Sequence, residues 1–222
     1  MASPRVELRK SYRATPDGRG PEKLPSAPTA AKVAFYGVIV CWWWFGLTFW
    51  LRKQPPRARA AKRDLTSYFG MALQSVGYFT VWFFPFALHR GSPIASQPEW
   101  LAWTMSTLAL SIAVFSAWLV NSAARRLGKQ WSLAARIVED HDLIDDGPYS
   151  FVRNPIYTGM FGMLIAAGLI VSRPLWLLLA CAIFLIGTYI RVRIEESLLR
   201  ETFGPIFDEY KRRVPAMIPG LW

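Results

Sequence analysis

Five runs of apolar residues constrain this chain more than any other feature in it. A helix that crosses a membrane needs about 20 mostly apolar residues, and residues 33–51, 67–88 and 100–120 meet that length. Residues 156–171 and 174–190 are shorter, and each borrows flanking residues to cross. The runs are continuous rather than alternating, which excludes a closed β-barrel. Hydrophobic residues make up 53% of the 222, with eleven tryptophans. The expected fold is all-α: a polytopic membrane helix bundle of about five transmembrane helices with a C-terminal cytoplasmic cap.

Residues 1–31 are polar, basic and rich in proline and glycine, with no short apolar core ahead of a small-residue cleavage site. No signal peptide is expected there; the segment reads as a disordered or surface-lying tail, and residues 32–222 as a single domain. The net charge of +11 would point to nucleic acid in a soluble domain, but topology explains it better. Basic residues gather in 52–63, in 125–153 and in the C-terminal segment. Five spans put these three on one side, which the positive-inside rule makes cytoplasmic. The basic tail then falls on the opposite side. Either it translocates despite its charge, or the first run does not span simply. Cys41 and Cys181 lie inside apolar runs and read as packing residues. With only His89 and His141 besides, no cluster has metal-ligand spacing.

The apolar runs carry their own punctuation. Trp42-Trp43-Trp44 stand mid-run, where packing against helices or lipid is expected over an interfacial belt. Pro55-Pro56 blocks helix continuation in the first basic loop, Pro85 marks a kink or stop in the second run, and the third run ends near Asn121. The connection that follows is the only long polar insertion between spans, where function often resides. The last two runs are joined by little more than Ser172-Arg173-Pro174, so they form a tight antiparallel hairpin whose two open ends meet at one membrane face. Gly159, Gly162 and Gly168 with Ala166 and Ala167 give the fourth run a small-residue surface for close helix approach.

Those open ends are chemically dense. Ahead of the hairpin stands Gly147-Pro148-Tyr149-Ser150-Phe151-Val152-Arg153-Asn154-Pro155-Ile156-Tyr157-Thr158-Gly159, and after it Arg191-Val192-Arg193-Ile194-Glu195-Glu196. Arg191 and Glu195 are four apart, as are Glu196 and Arg200, so each pair can meet on one helix face. Alone, that segment reads as a solvated helix end. The tail beyond it, with Phe203-Gly204, Phe207 to Pro215 and Ile218-Pro219, alternates aromatic and charged residues with proline and glycine stops. It reads as an ordered cap that walls a pocket and excludes water.

These segments resemble the membrane methyltransferases grouped around isoprenylcysteine carboxyl methyltransferase, with the phospholipid N-methyltransferases as relatives. The resemblance rests on His141-x-Leu143-Ile144-x-x-Gly147-Pro148-Tyr149, Val152-Arg153-Asn154-Pro155-x-Tyr157-x-Gly159, Arg193-x-Glu195-Glu196, Phe203-Gly204, Tyr210-Lys211-x-Arg213-Val214-Pro215 and Ile218-Pro219. It covers about the last hundred residues; the first hundred match only in being membrane helices. It implies a methyltransferase whose donor, S-adenosylmethionine, sits within residues 136–222. The acceptor would be a lipid or prenylated molecule entering from the bilayer, with no metal and no nucleic acid, and the active site would face the cytoplasm. Arg193 and Glu196 are then the candidate catalytic residues. His141, Leu143, Gly147, Tyr149, Arg153, Asn154, Pro155, Tyr157, Gly159, Arg191, Glu195 and Glu196 are the candidate cofactor-binding residues.

The chemistry of the donor fits these residue types. An arginine suits its α-carboxylate through bidentate bonding, and Arg153, Arg191 and Arg193 are the candidates. Glu195 or Glu196 suits the amine or a ribose hydroxyl, and Tyr157 offers a ring face to a cation. A carboxylate acceptor needs no general base; an amine needs one, and His141 or a glutamate is the supply. The family commonly has histidine where this chain has Asn154. Asparagine does not titrate near neutrality, so Asn154 is expected to be structural or to contact the cofactor. The isoprenylcysteine carboxylate leads as acceptor and the phospholipid amine follows. A nicotinamide-dependent membrane reductase of similar fold and a non-catalytic adaptor that binds anionic lipid through basic loops are the alternatives.

Overall fold

The structure is a computed structural model that describes residues 29–51, 65–87, 94, 97–128 and 143–218. The N-terminal tail, the first basic loop with Pro55-Pro56, His89, His141 and Pro219 lie outside the described residues. Among the described residues the regular structure is helical: α1 (Thr29–Trp50), α2 (Leu65–Ala87), α3 (Glu99–Leu127), α4 (Pro155–Val171), α5 (Pro174–Phe203) and α6 (Pro205–Arg213), with a 3₁₀ turn at Gly147–Ser150. α4, α5 and α6 each begin on a proline, whose missing N–H is one that a first helical turn leaves unbonded anyway.

The protein is an integral membrane helix bundle. Among the described residues three helices are long and apolar enough to cross a membrane: α1, α3 and α5. α4 is apolar but has 17 residues, so it reaches across only with its flanks. α2 has 23 residues and the length to cross, but Thr66, Ser67, Gln74, Ser75 and Thr80, with Gly70 and Gly77, dilute it. It continues through Pro85 to Ala87. α3 runs past Asn121, where the apolar run ends, to Leu127. Asn121 accepts a bond from Arg125 one turn on (3.1 Å), which carries the helix through its polar end. α5, with 30 residues, is about 45 Å long. That exceeds the roughly 30 Å hydrocarbon core, so its last turns stand beyond the apolar slab.

Small residues set the packing. α2 meets α5 antiparallel: a Cβ on Gly187 would lie 2.5 Å from the Gly70 carbonyl oxygen, and one on Gly77 would lie 2.9 Å from the Ala180 carbonyl oxygen. α3 meets α4 the same way, since a Cβ on Gly159 would lie 2.4 Å from Val120 and one on Gly162 would lie 2.1 Å from the Ser116 hydroxyl. Gly159 and Gly162 of the expected small-residue surface of α4 thus face α3, with backbones drawn close as membrane helices require, whereas a Cβ on Gly168 would lie 2.3 Å from Leu177 of α5. Around it lies one core that includes Val38, Ala113, Ala117, Met163, Ala167 and Phe184. Trp42 packs edge-on to Tyr78 at 5.0 Å, whereas Trp43 and Trp44 are exposed on the lipid side. Cys41 and Cys181 are free thiols within helices, the first buried.

Gly204 turns the chain back after α5. Its φ of +53° is a conformation that L side chains rarely adopt, and it lets α6 fold onto the end of the bundle. Phe207, Tyr210 and Val214 of this cap pack against Leu143, Leu199 and Phe203. The helices alternate in direction, so the starts of α2 and α4, the end of α5 and the cap share one face.

Candidate active site

The residues of the two dense segments converge at that face, but they divide into two clusters with different work. The first ties down the cap. The Arg153 guanidinium donates to Glu196 Oε1 through Nε (3.0 Å) and Nη2 (2.7 Å), and through Nη1 to the carbonyls of Lys211 (3.0 Å) and Val214. Lys211 Nζ donates to the other oxygen of Glu196. Both the Arg153 and Glu196 side chains are about nine-tenths buried, so each charge is compensated where water is scarce, as burial demands. The backbone follows the side chains. The N–H groups of Arg153 and Asn154 donate to the carbonyls of Pro215 (2.8 Å) and Ala216 (2.9 Å). Asn154 Nδ2 reaches the same Ala216 carbonyl at 3.0 Å, and Thr158 Oγ1 the Met217 carbonyl at 3.0 Å. Asn154 thus clasps Ala216 through both its backbone and its side chain.

Tyr149 and Tyr210 close the cap from the other side. The Tyr210 hydroxyl donates to the Tyr149 carbonyl at 2.7 Å. Burial pushes the Tyr210 phenol up from its ordinary value, with Asp145 adding to the rise and Arg153 opposing it, so the hydroxyl keeps the proton it donates. Burial likewise raises Tyr149. Gly147, at φ +59°, starts the turn that carries Tyr149. Asp146 beside it pairs with Arg126 at the end of α3 (3.0 Å).

The second cluster lies beneath the cap, between α2, α4 and α5. Tyr157 donates its hydroxyl to Glu195 Oε1. Arg191 sits over the Tyr157 ring, its Cζ 5.1 Å from the centroid, within the range of a cation–π contact. Its Nη2 lies 3.4 Å from Glu195 Oε1, and its Nη1 donates to Gln74 Oε1 at 3.3 Å. Gln74 Nε2 in turn donates to Thr188 Oγ1 at 2.8 Å. The Arg191 side chain is 7% exposed and that of Glu195 27%. Glu195 is thus the more exposed partner of this ion pair.

The expected pairs come out unevenly. Arg191 and Glu195 meet as their spacing implies, but Glu196 and Arg200 do not. α6 folds across the end of α5, so Arg200 pairs with Asp208 of that helix and Glu196 turns to Arg153 and Lys211. Of the other candidate residues, Pro155 opens α4, Gly159 packs on α3, and Leu143 packs under the cap. Arg193 is exposed; two residues turn a helix by about 200°, so it faces away from Arg191. Gln74 and Thr188 are the participants that sequence reasoning missed, and Lys211 stood in the resemblance motif without being a candidate site residue. Gln74 had a signal, as a carboxamide within an apolar run.

A family model described as phospholipid methyltransferase matches residues 104–206. The chain is 33% identical over 119 residues to the protein-S-isoprenylcysteine O-methyltransferase of Schizosaccharomyces pombe, covering 51% of this chain and 49% of that one. It is 38% identical over 82 residues to that of Saccharomyces cerevisiae, covering 36% and 34%. It is also 32% identical over 114 residues to a nickel-cobalt-cadmium resistance protein of Alcaligenes xylosoxydans xylosoxydans, covering 50% and 53%. The chain thus spans about half or less of the length of these relatives. The solved structure of the eukaryotic intramembrane Ras methyltransferase ICMT (isoprenylcysteine carboxyl methyltransferase) superimposes with a TM-score of 0.54 at 20% identity, over 89% of this chain and 70% of that one. The fold is shared. The resemblance carried by the motifs of the C-terminal half is borne out.

Proposed function

We propose that this chain transfers a methyl group from S-adenosylmethionine to a lipophilic acceptor, the carboxylate of an isoprenylcysteine-type molecule, at the cytoplasmic face of a membrane. The observation that carries the proposal is the Tyr157–Arg191–Glu195 cluster beneath the cap. A neutral, mostly buried arginine–glutamate pair is complementary to a zwitterion. At 3.4 Å the internal pair is long, so exchanging it for a donor carboxylate on Arg191 and a donor amine on Glu195 sacrifices little. The Tyr157 ring lies under the guanidinium while its hydroxyl bonds Glu195.

Bound there, the donor supplies a sulfonium methyl that passes to the acceptor by in-line displacement. The chain's part is alignment and exclusion of water. Arg153, Asn154 and Glu196 act as positioning residues: they hold residues 214–216 over the end of the hairpin, so the cap stays shut on the donor. A carboxylate acceptor needs no general base, which suits a site whose glutamates are already engaged. The positive-inside rule, applied to the three basic segments of the sequence, supports a cytoplasmic location for this face. The description of the matching family as phospholipid methyltransferase favours, as a second reading, the amine of a phospholipid head group. Acceptor choice then rests with α1 and α2, which lie outside the matched segment.

The test is calorimetric titration of the detergent-purified protein with S-adenosylmethionine, followed by mass spectrometry of a prenylcysteine analogue and of an aminophospholipid. Saturable binding lost in Tyr157→Ala, with a methyl mass gain on the prenylcysteine, is the expected result. A gain on the aminophospholipid alone reverses the acceptor assignment. A folded protein that binds no donor removes the methyltransferase reading and calls for a nicotinamide titration.

A further inference from the structure

Arg191 is held from a helix that the family resemblance does not cover. Gln74 of α2 is 2% exposed, and its partners Arg191 and Thr188 on α5 are 6% and 0% exposed. The approach depends on two glycines. A Cβ on Gly70 would lie 2.7 Å from Arg191 Cγ, and one on Gly187 would lie 2.5 Å from the Gly70 carbonyl oxygen and 3.0 Å from the Gln74 backbone nitrogen.

The orientation of the Gln74 amide follows from its neighbours. The Thr188 hydroxyl spends its single proton on the Phe184 carbonyl, at 2.9 Å, and can only accept from Gln74. Gln74 must therefore present its NH₂ to Thr188, at 2.8 Å, and its oxygen to the guanidinium of Arg191, at 3.3 Å. A flipped amide would set donor against donor at Arg191 and acceptor against acceptor at Thr188. The chain Phe184 carbonyl, Thr188, Gln74, Arg191 runs from fixed backbone to a side chain with large rotamer freedom.

We propose that Gln74, oriented by Thr188, is a positioning residue for the donor site: it fixes Arg191 over Tyr157 in the pose that receives the donor's carboxylate. The inference rests on the functional reading above and adds α2 to the machinery.

The test is a double-mutant cycle on the dissociation constant for S-adenosylmethionine, by calorimetry, with wild type, Gln74→Leu, Arg191→Met and the double variant. Loss of a hydrogen bond to a charged group predicts a weakening of about tenfold in Gln74→Leu. In the Arg191→Met background the same change should add less than about twofold, because a residue that acts through Arg191 has nothing left to position. A purely structural role would instead multiply with the Arg191 effect. Thr188→Val, which keeps the volume, is the second variant should Gln74→Leu not fold. It should weaken donor binding in the same sense and lose its effect in the Arg191→Met background. Unchanged donor affinity in a folded Gln74→Leu, or effects that multiply, overturns the inference while leaving the methyltransferase reading in place. A folded wild type that binds no donor overturns that reading and the inference together.

Discussion

Replacing Glu196 with alanine should open the cap without unfolding the bundle. Glu196 Oε1 takes two donors from Arg153, at 3.0 and 2.7 Å, and Oε2 takes Lys211. The two Arg153 bonds share one acceptor oxygen, so they count as about one charge-assisted bond, roughly 2 kcal/mol. Lys211 is 33% exposed, so its pair with Glu196 adds at most about 1 kcal/mol. The full penalty for orphaning a buried charge, about 3–5 kcal/mol, does not apply, because Arg153 keeps the carbonyls of Lys211 and Val214. The sum is about 3 kcal/mol, or about a hundredfold in the opening equilibrium at roughly 1.4 kcal/mol per decade. Amide hydrogen exchange in nanodiscs reads this directly, since the Arg153 and Asn154 N–H groups are bonded to the cap carbonyls of Pro215 and Ala216. Their protection should fall about a hundredfold, while the Leu177 amide at the far end of the hairpin, bonded to Arg173, should hold. A folded Glu196→Ala protein with unchanged protection at Arg153 and Asn154 would refute the clasp.

Three further predictions follow from the packing and the site. Gly187→Ala should lower the melting temperature by overpacking α2 against α5, at about 1–3 kcal/mol. Gly46→Ala should not, because nothing lies within 4 Å of its Cβ position; equal melts for the two variants would contradict the close contact. Tyr157→Phe keeps the ring under Arg191 but drops the bond to Glu195. It should weaken donor binding less than Tyr157→Ala does in the same titration, and the reverse order would argue against a cation–π role. The Tyr210 phenol is raised above its unfolded value by burial, so it supports the fold below the unfolded value of about 10 and loses that support as pH climbs towards the folded value. Tyrosinate absorbance of native wild type and Tyr210→Phe should accordingly coincide near pH 10 and diverge only on unfolding.

The helical membrane class was legible in the sequence because apolar runs of bilayer length leave the backbone few ways to satisfy its hydrogen bonds. The hairpin was legible from its three-residue joint, and the nearness of Tyr157 to Glu195 follows from it. Resemblance in the C-terminal half located the dense face. What the tertiary structure decided was how the charges are divided. Arg153 and Arg191 look alike in sequence, and so do Glu195 and Glu196. One pair clasps the cap and the other lies over Tyr157, because consecutive residues on α5 point about 100° apart and meet different elements. α6, folded back at Gly204, took Arg200 for Asp208 and gave Lys211 to Glu196. Gln74 stands more than a hundred residues from Arg191, and the close packing of α2 on α5, with Gly70 against Gly187, brings the two together. Periodicity and spacing report what a segment can bury; they do not report which neighbour it will be buried against.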